Sequence, residues 1–422
     1  MRFLTLCFLF VVFAQAHAGS YLDLQPGTWI EVGTNMIVDL DPEDIPELNP
    51  NFCDANNDGK SDSGCEAPYH ASGGVISTID AWSGGAFATG YGSLGGLIVW
   101  GGGHAAYYGN EVYIFNIAAN KWERLSDPFF NPNDSQLGPS YCNQDTGEFP
   151  DGTPCTAHTY DMVDYDPVSN SFILIGHYAL HEKPGGGSPR VHLFDLDTRQ
   201  WRAGADHPVF SWMRGSTAYD SGRKVFWDVP LSSGPIGKYD PATAQWQTFT
   251  SDRPQFGDEI TAFDTQRDLI VTLDHRGANP AFVVRAASNP SVSYDANIVG
   301  PDEILHSSKS DNTRPGFEYD EHNHVFVGWR GGNAVYILIP PDGDPRTDTW
   351  IIKKELLGGV TPSVPTTNGV FSRLRFVPAL GAFIVVNQAD EQVYMFQLGA
   401  CAECPVVDTV APDEPGALQV IE

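Results

Sequence analysis

Short apolar runs recur along the chain, each after an aromatic residue and a turn. Six aromatic residues are followed by such runs: Phe87 by 97–100, Tyr165 by 172–175, Tyr219 by 225–227, Phe263 by 269–271, Tyr319 by 325–327 and Phe376 by 383–386. Short apolar runs bounded by turns are typical of buried strands. Because no stretch keeps an apolar period near that of a helix, the pattern predicts an all-β chain of six hairpins.

A second pattern predicts further strands outside these hairpins. An aromatic residue is followed by Asp or Asn and, seven residues after the aromatic, by Trp; the pairs are Phe115 with Trp122, Phe194 with Trp201, and Tyr239 with Trp246. The Asp or Asn side chain favours a tight turn, and the Trp then packs back on the sheet. The two patterns together predict four-stranded sheets that repeat around an axis.

Glycine runs follow two of the inner hairpins. Residues 101–103 are Gly-Gly-Gly, with Tyr113 and Trp122 after them, and residues 331–332 are Gly-Gly, with Tyr336 after them. A glycine pair, an aromatic and a later Trp resemble the kelch repeat of β-propellers over residues 80–398. The resemblance implies a six-bladed propeller, or a seven-bladed one if the irregular stretch 286–311 contains a further blade.

The last repeat lacks an outer strand with a Trp. Residues 27–32 contain such a strand, with Trp29 at its centre. We expect this strand to complete the last blade, because a closed ring leaves no open sheet edge. Residues 19–79 then contain the closing strand and a cysteine-bounded loop, and residues 399–422 form a C-terminal tail that resembles a linker to a fibronectin type III module.

The first eighteen residues are typical of a signal peptide. Arg2 precedes an apolar stretch over residues 3–13, and Ala16 and Ala18 form a small-x-small cleavage site. The sequence therefore predicts a secreted or periplasmic protein. No later segment has eighteen consecutive apolar residues, so we expect no membrane span, and we expect a monomer.

Six cysteines remain after Cys7 of the predicted signal peptide. They form three close pairs: Cys53 with Cys65, Cys142 with Cys155, and Cys401 with Cys404. In an oxidising compartment such pairs are predicted to be local disulfides. Free thiols are the alternative, and a zinc site is disfavoured because only the last pair has Cys-x-x-Cys spacing.

Charge narrows the range of partners. The 422 residues include 24 Lys and Arg against 53 Asp and Glu, a formal net charge of -29. With 41% hydrophobic and only 18% charged residues, the chain is globular and not an acidic disordered segment. The acidic excess argues against nucleic acid and against an anionic membrane surface as partners.

Oxygen-bearing side chains recur at alternate positions between Cys53 and Cys65. They are Asp54, Asn56, Asp58 and Asp62. With Gly59 they match positions 1, 3, 5, 9 and 6 of a calcium loop, although the twelfth position holds Cys65 and not Glu. The segment resembles the calcium loops of dockerins and thrombospondin repeats, which implies structural Ca²⁺; the alternative is a solvated acidic loop held by a disulfide.

One end of the predicted channel gathers basic and aromatic residues. Stepping back five residues from each inner-strand aromatic gives a ring that we call the mouth: Trp82, Tyr160, Arg214, Asp258, Arg314 and Phe371. His158 and Arg373 are two residues from this ring. Loops predicted at the same end add His104, Tyr107, Tyr108, His177, His181, Asp274, His275, Arg276 and Arg330. Such a basic set in an acidic chain predicts a functional pocket.

The residue types at the mouth suit an anionic polysaccharide. Arginine matches a carboxylate or sulfate, and aromatic faces accept sugar rings. On a uronic acid the economical reaction is β-elimination. Arginine neutralises the carboxylate, a His or Tyr removes the neighbouring proton, and a Tyr or His protonates the leaving oxygen.

The combination of His, Tyr and Arg on one propeller face resembles the propeller-type ulvan lyases. This likeness implies that His104 and either His158 or His177 act as base and carboxylate partner, with Tyr160 as acid/base and Arg214 as neutraliser. It implies no cofactor in catalysis. The remaining predicted substrate contacts are Trp82, Tyr107, Tyr108, Asp258, Arg314, Arg330 and Arg373.

Several alternatives stay open. A kelch propeller can bind carbohydrate or protein without catalysis. A sialidase-like hydrolase could use Arg214, Arg314 and Arg373, although the chain lacks the Asp-box sequence of that family. A galactose-oxidase-like copper enzyme needs a free cysteine. Hydrolysis by Asp258 and Glu259, and a zinc site of His104, His158 and His177, are further possibilities.

Overall fold

The computed structural model describes residues 19–103, 106–129, 142–143, 145–176, 189–208, 215–229, 234–253, 258–276, 279–306 and 314–399. His104, His177, Arg214, Cys401 and Cys404 lie outside these ranges, as do the predicted signal peptide and most of the tail.

Four sheets are four-stranded antiparallel meanders. Strands are numbered in chain order from β1 (Thr28–Val32). Blade one contains β2 (Gly85–Ala88), β3 (Gly96–Val99), β4 (Tyr113–Asn116) and β5 (Lys121–Arg124). Blade two contains β6 (Val163–Asp166), β7 (Ser171–Leu174), β8 (Arg190–Asp195) and β9 (Gln200–Asp206). Blade three contains β10 (Ser216–Asp220), β11 (Val225–Val229), β12 (Ile236–Asp240) and β13 (Gln245–Phe249). Blade four contains β14 (Ile260–Asp264), β15 (Leu269–Asp274), β16 (Ala281–Ala286) and β17 (Asn289–Asp295).

Two sheets carry a fifth strand that pairs in parallel. Blade five contains β18 (Asn297–Val299), β19 (Gly316–Asp320), β20 (Val325–Trp329), β21 (Ala334–Ile339) and β22 (Thr349–Leu356). Blade six contains β1, β23 (Gly358–Gly359), β24 (Leu374–Val377), β25 (Ala382–Val385) and β26 (Val393–Gln397). The described part of the irregular stretch after residue 286 joins blades four and five, so the described residues form six blades and not seven.

The first strand of each blade contacts its counterparts in the two neighbouring blades. β2 contacts β6, β6 contacts β10, and the contacts continue through β14, β19 and β24 back to β2. The six inner strands therefore surround a central channel, and the fold is a six-bladed β-propeller. The predicted all-β fold class is confirmed.

The N-terminal strand closes the ring. β1 pairs antiparallel with β26 along its whole length, from Thr28 opposite Gln397 to Val32 opposite Val393. Trp29 is fully buried, with its ring centroid 4.2 Å from that of Phe396. The predicted closing strand is confirmed, and burial of its Trp joins the N-terminal segment to blade six.

The Trp residues of the second sequence pattern lie on outer strands as expected. Phe115 is directly opposite Trp122, Phe194 is opposite Trp201, and Tyr239 is opposite Trp246. The ring centroids of the first pair are 5.5 Å apart. Directly opposed aromatic residues stabilise a strand pair, which explains the seven-residue spacing.

The segment before blade one is irregular and packs on that blade. It contains short 3₁₀ turns (Tyr21–Asp23, Ile37–Leu40, Pro42–Asp44 and Gly74–Ile76) and one helical turn, α1 (Ser77–Asp80). Further 3₁₀ turns are Glu303–Leu305, Phe371–Arg373 and Pro378–Leu380. Ile37, Tyr69 and Ile79 share a buried cluster with blades one and six. No helix in the described ranges is long and apolar enough to cross a membrane.

Two of the three predicted disulfides are present. Cys53 is bonded to Cys65 and Cys142 to Cys155, with Cα–Cα distances of 5.8 and 6.0 Å. The Cys53–Cys65 bond closes a loop on the N-terminal segment, and the Cys142–Cys155 bond closes a loop between blades one and two. The Cys401–Cys404 pair falls outside the described residues and stays a prediction.

Candidate functional site

An unusual backbone conformation recurs at the mouth. Four of its six predicted members have positive φ: Trp82 (53°), Tyr160 (47°), Asp258 (61°) and Phe371 (51°). Residues other than glycine rarely adopt this left-handed region, and each such residue costs on the order of 1–3 kcal/mol. The same outlier at the same step of four blades shows that these positions are structurally equivalent.

Hydrogen bonds between neighbouring blades hold the backbone at this end. The Tyr160 N–H donates to the Trp82 carbonyl at 2.8 Å, and the Val370 N–H donates to the Arg314 carbonyl at 2.9 Å. These bonds use the free edges of the inner segments, which have no further strand to pair with. These two bonds join blade one to blade two and blade five to blade six at the described part of the mouth.

On one side of the mouth, His158 and Tyr160 form a hydrogen-bonded pair. The Tyr160 hydroxyl lies 2.9 Å from Nδ1 of His158 and donates to it when the imidazole is neutral with its proton on Nε2. Trp82 stacks on the imidazole with a centroid distance of 4.5 Å. His158 and Tyr160 are each 1% exposed, whereas Trp82 is partly exposed above them. A His–Tyr pair of this kind can pass a proton between its members.

Tyr160 also belongs to the apolar floor of the mouth. Its ring packs edge-on against Phe371, at a centroid distance of 5.6 Å. Both residues share one buried cluster with Ile260 of blade four and Phe317 of blade five. Aromatic and aliphatic side chains from four blades therefore meet beneath the mouth.

On the side of blades four and five the charges are compensated. Asp258 is fully buried, and its Oδ2 accepts a hydrogen bond from Nε of Arg314 at 2.9 Å. Arg276 forms a second ion pair with the same carboxylate, and 34% of its side chain is exposed. Two guanidinium groups share one carboxylate, and Arg276 is the more accessible of the two.

His275 contributes a neutral imidazole beside this group. Its Nε2 donates to the Asp258 carbonyl at 2.7 Å. Burial, with Arg314 nearby, lowers the pKa of His275 to about 3, so the ring is uncharged at neutral pH. His275 therefore orients the backbone of Asp258 and adds no charge.

Three predicted substrate contacts, Arg373, Tyr107 and Tyr108, occupy other positions. Arg373 is fully buried and donates to the backbone carbonyls of Ile79, Ser83, Gly369 and Val386. Burial lowers the pKa of Arg373 to about 10. We therefore propose no substrate contact for it, because its hydrogen bonds join segments of backbone.

Tyr107 is also in the interior. It is fully buried, and its hydroxyl donates to Oε1 of Glu111 at 2.6 Å, as does that of Tyr113 at 2.9 Å. Burial raises the pKa of Glu111 to about 7. Tyr108 is half-buried against the Cys142–Cys155 loop. Neither tyrosine joins the His158 pair.

Arg330 directly follows β20 of blade five; its Nη1 donates to the carbonyls of Glu303 and His306, and its charge adds to burial and Arg314 in lowering the pKa of His275. Three of the five predicted catalytic residues, His104, His177 and Arg214, fall outside the described ranges. Their roles stay predictions. Within the described residues, the structure brings Trp82, His158 and Tyr160 together, and places Asp258 with Arg314 and Arg276.

The predicted calcium loop is folded around its own carboxylates. Asp54 accepts the N–H groups of Asp58 and Gly59, each at 3.0 Å, and Asp62 accepts that of Ala55 at 2.7 Å. Gly59 adopts φ 83°, which the sharp turn requires. Among the described residues no three His, Cys, Asp or Glu side chains converge as a ready metal site. Calcium at this loop stays a prediction.

Arg375, which neither sequence pattern indicated, lies deeper in the channel. Its Nε donates to the Gly85 carbonyl at 2.9 Å, Nη2 to that of Val163 at 3.1 Å, and Nη1 to Glu318 at 2.9 Å. One side chain thus connects blades one, two, five and six. The sequence signal for Arg375 lies in the positions directly before the inner-strand aromatics. These positions are Ala86, Asp164, Ala218, Ala262, Glu318 and Arg375.

Comparison with known proteins adds only distant structural likeness. No family model and no curated protein matches the chain. A structural genomics protein of unknown function from Bacteroides thetaiotaomicron is similar at 11% identity, covering 74% of this chain and 68% of that one, with a TM-score of 0.44. An auxiliary nutrient binding protein from Bacteroides ovatus is similar at 11% identity, covering 75% and 69%, with a TM-score of 0.42. Similarity at this level supports no inference about function.

Proposed function

We propose that the protein is a secreted or periplasmic propeller that binds an anionic polysaccharide at the mouth and cleaves it by β-elimination. The observation that supports this is the hydrogen bond between His158 and Tyr160 beneath Trp82. The two disulfides fit an oxidising compartment and support the location.

In the proposed reaction the His158–Tyr160 pair moves the protons. His158 takes the phenolic proton of Tyr160. The Tyr160 oxygen then removes the proton from the carbon that bears the uronate carboxylate. The electron pair forms a carbon–carbon double bond, and the glycosidic oxygen on the neighbouring carbon leaves and takes up a proton from the pair. Arg276 and the predicted Arg214 stabilise the negative charge that develops on the carboxylate.

Burial of the pair favours a second candidate function. His158 and Tyr160 are each only 1% exposed, and Arg314 is already bonded to Asp258. In that case Trp82 and Arg276 are the groups that face a ligand, and the propeller binds the polysaccharide without cleaving it.

The deciding experiment is incubation with a panel of uronate polysaccharides. The ultraviolet absorbance of the unsaturated product measures cleavage, and calorimetry measures binding. Tyr160→Phe keeps the ring against Phe371 but removes the hydroxyl, so we expect turnover to fall roughly a hundredfold or more at unchanged affinity.

Tyr91→Phe is the matched control, because Tyr91 donates to Glu123 on blade one, away from the mouth. Its turnover should equal that of the wild type. Binding without product from any polymer would establish the non-catalytic function. If the protein binds none of the polymers and forms no product, both candidate functions are refuted.

A further inference from the structure

A cavity of about 150 Å³ lies at the end of the channel opposite the mouth, where the inner strands end. All six blades contribute to its lining, including Phe87, Asp164, Ala218, Ala262, Glu318 and Arg375. We call it the axial cavity. It belongs neither to the mouth nor to the polysaccharide chemistry proposed there.

Side chains that cross the channel separate the axial cavity from the mouth. Oδ2 of Asp161 on the blade two segment accepts the N–H of Thr261 on blade four at 2.8 Å, although blade three lies between them in the ring. Arg375 bonds to the carbonyls of Gly85 and Val163. A ligand in the axial cavity therefore enters from the end opposite the mouth.

The lining has an excess of negative charge. Three carboxylates, Asp164, Glu318 and Glu321, line the cavity, and Arg375 is the one basic group among the described lining residues. Arg375 is bonded to Glu318 at 2.9 Å and lies 3.8 Å from Asp164. After this pairing, about two negative charges remain, and Glu321 is exposed at the rim.

The remaining walls suit an organic cation. Aromatic side chains from blades one, three, four, five and six line the cavity, namely Phe87, Tyr219, Phe263, Tyr319 and Phe376. Aromatic ring faces attract ammonium groups, and the attraction is strongest where water is excluded. Alanines at two lining positions, Ala218 and Ala262, leave the space that a ligand needs.

A metal ion fits this lining poorly. Oδ1 of Asp164 and Oε1 of Glu318 each accept the N–H of the following residue at 2.9 Å. No three acidic, His or Cys side chains among the described residues converge on one point. The volume of about 150 Å³ is below the roughly 300–1,000 Å³ of typical ligand pockets, so it suits a small molecule and not a polysaccharide segment.

We propose that the axial cavity binds a small organic ammonium ion. The probe for the test is choline, and its neutral isostere dimethylbutanol is the comparison, because the two differ in charge and hardly in shape. Titration calorimetry and ligand-observed NMR on the full chain should show that choline binds and that dimethylbutanol binds at least tenfold more weakly.

Two variants test the position of the site. Ala262→Leu fills the cavity and should abolish choline binding. Glu321→Gln, a change at an exposed position that the fold should tolerate, should weaken binding roughly fivefold, the upper range for an exposed ion pair. Glu47→Gln is the matched control, an exposed glutamate on the N-terminal segment that should bind like the wild type.

The proposal is overturned by any of three results: no binding of choline, equal binding of dimethylbutanol, or wild-type affinity in both Ala262→Leu and Glu321→Gln. Equal binding of dimethylbutanol would mean that the cavity accepts neutral molecules. Loss of polysaccharide binding at the mouth has no bearing on these outcomes, so the two proposals succeed or fail separately.

Discussion

The two ends of the central channel are built on the same six strands but differ in charge and space. At the mouth, Asp258 is enclosed by Arg314 and Arg276, and His158 is covered by Trp82. At the other end, the carboxylates outnumber the single arginine around an open cavity. Only four residues along each inner strand separate the two sets of positions. A propeller can therefore carry two chemically different sites on one axis.

Arg373, in the 3₁₀ turn before β24, and Arg375, on β24, show this difference two residues apart. Arg373 is bonded to backbone carbonyls, and burial lowers its pKa to about 10. Burial acts on Arg375 in the same direction, but Asp164 and Glu318 outweigh it and raise the pKa of Arg375. The first guanidinium satisfies backbone groups, whereas the second balances carboxylates.

Deletion of residues 19–33 should have the largest effect, because it removes β1 and affects both ends together. Loss of β1 exposes the edge of β26 and leaves the partners of Trp29 unpacked. We expect aggregation or loss of cooperative unfolding, measured by calorimetry and light scattering. Unchanged melting of the truncated chain would show that closure contributes no stability.

Arg375→Met and Arg373→Met should lose stability with different dependence on pH, which distinguishes the two ends of the channel. We expect each to lose about 3–5 kcal/mol of unfolding free energy near neutral pH, the cost of breaking a buried charged network. Even with Arg375 present, burial raises the pKa of Asp164 to about 6. Without Arg375 the ionised Asp164 is strongly disfavoured, so the loss should be larger at about pH 8 than at about pH 5, where the carboxyl is protonated.

The pH comparison uses urea unfolding of both variants. Arg373 donates to carbonyls, which do not titrate, so its loss should depend less on pH. Arg202→Met is the control, because Arg202 is exposed on β9 and its removal should cost little. Equal pH dependence for the two buried variants would contradict the assignment of Arg375 to the carboxylates.

Calcium should stabilise the N-terminal segment and leave both channel ends unchanged. We propose that Asp54, Asn56, Asp58 and Asp62 hold the ion. At a hundredfold excess over Kd, binding to the native state alone adds about 2.7 kcal/mol and raises Tm. Asp58→Asn keeps an oxygen for the Lys60 N–H but removes a charge, so the Tm shift should shrink.

In the calcium titration, the melting temperature of Glu47→Gln should rise as much as that of the wild type. The affinity for choline should not change with calcium. A melting temperature that is the same with chelator and with millimolar calcium would mean that the loop is only acidic.

Trp82→Ala should have the smallest effect and concerns the mouth alone. Loss of the aromatic face should weaken polysaccharide binding by about 0.5–1.5 kcal/mol. Trp82→Gly removes the same ring but also relieves the left-handed backbone at φ 53°, so it should be more stable than the alanine variant. Equal affinity in wild type and both variants would place the ligand elsewhere.

The fold could be predicted from the sequence because its signals are local. Each inner-strand aromatic precedes a turn and an apolar run, and each outer Trp faces an aromatic directly across the ladder, as with Phe115 and Trp122. The orphan strand around Trp29 was also predictable, since a ring with one missing strand needs a partner. The positive φ at Trp82 and Tyr160 confirms that the alignment found equivalent positions.

The site was only partly predictable. Counting residues along a strand gives the position of a residue along the channel axis, but it does not give the direction of its side chain. Arg373 falls at the right height, but its side chain is directed between backbone segments. Arg375 is two residues away and was not predicted, because the mouth positions lie at the other end of each inner strand. Comparison of the positions directly before the aromatics, where Asp164, Glu318 and Arg375 replace alanine, could have found it.

Pairing of β1 with β26 sets the order in which the molecule can assemble. β1 is synthesised before every other described strand, and β26 is synthesised after them. Contacts between such distant segments make folding slow, and until closure the edge of β26 is open to other strands. The same geometry allows β1 of one molecule to complete blade six of another during refolding at high concentration, the exchange known as domain swapping.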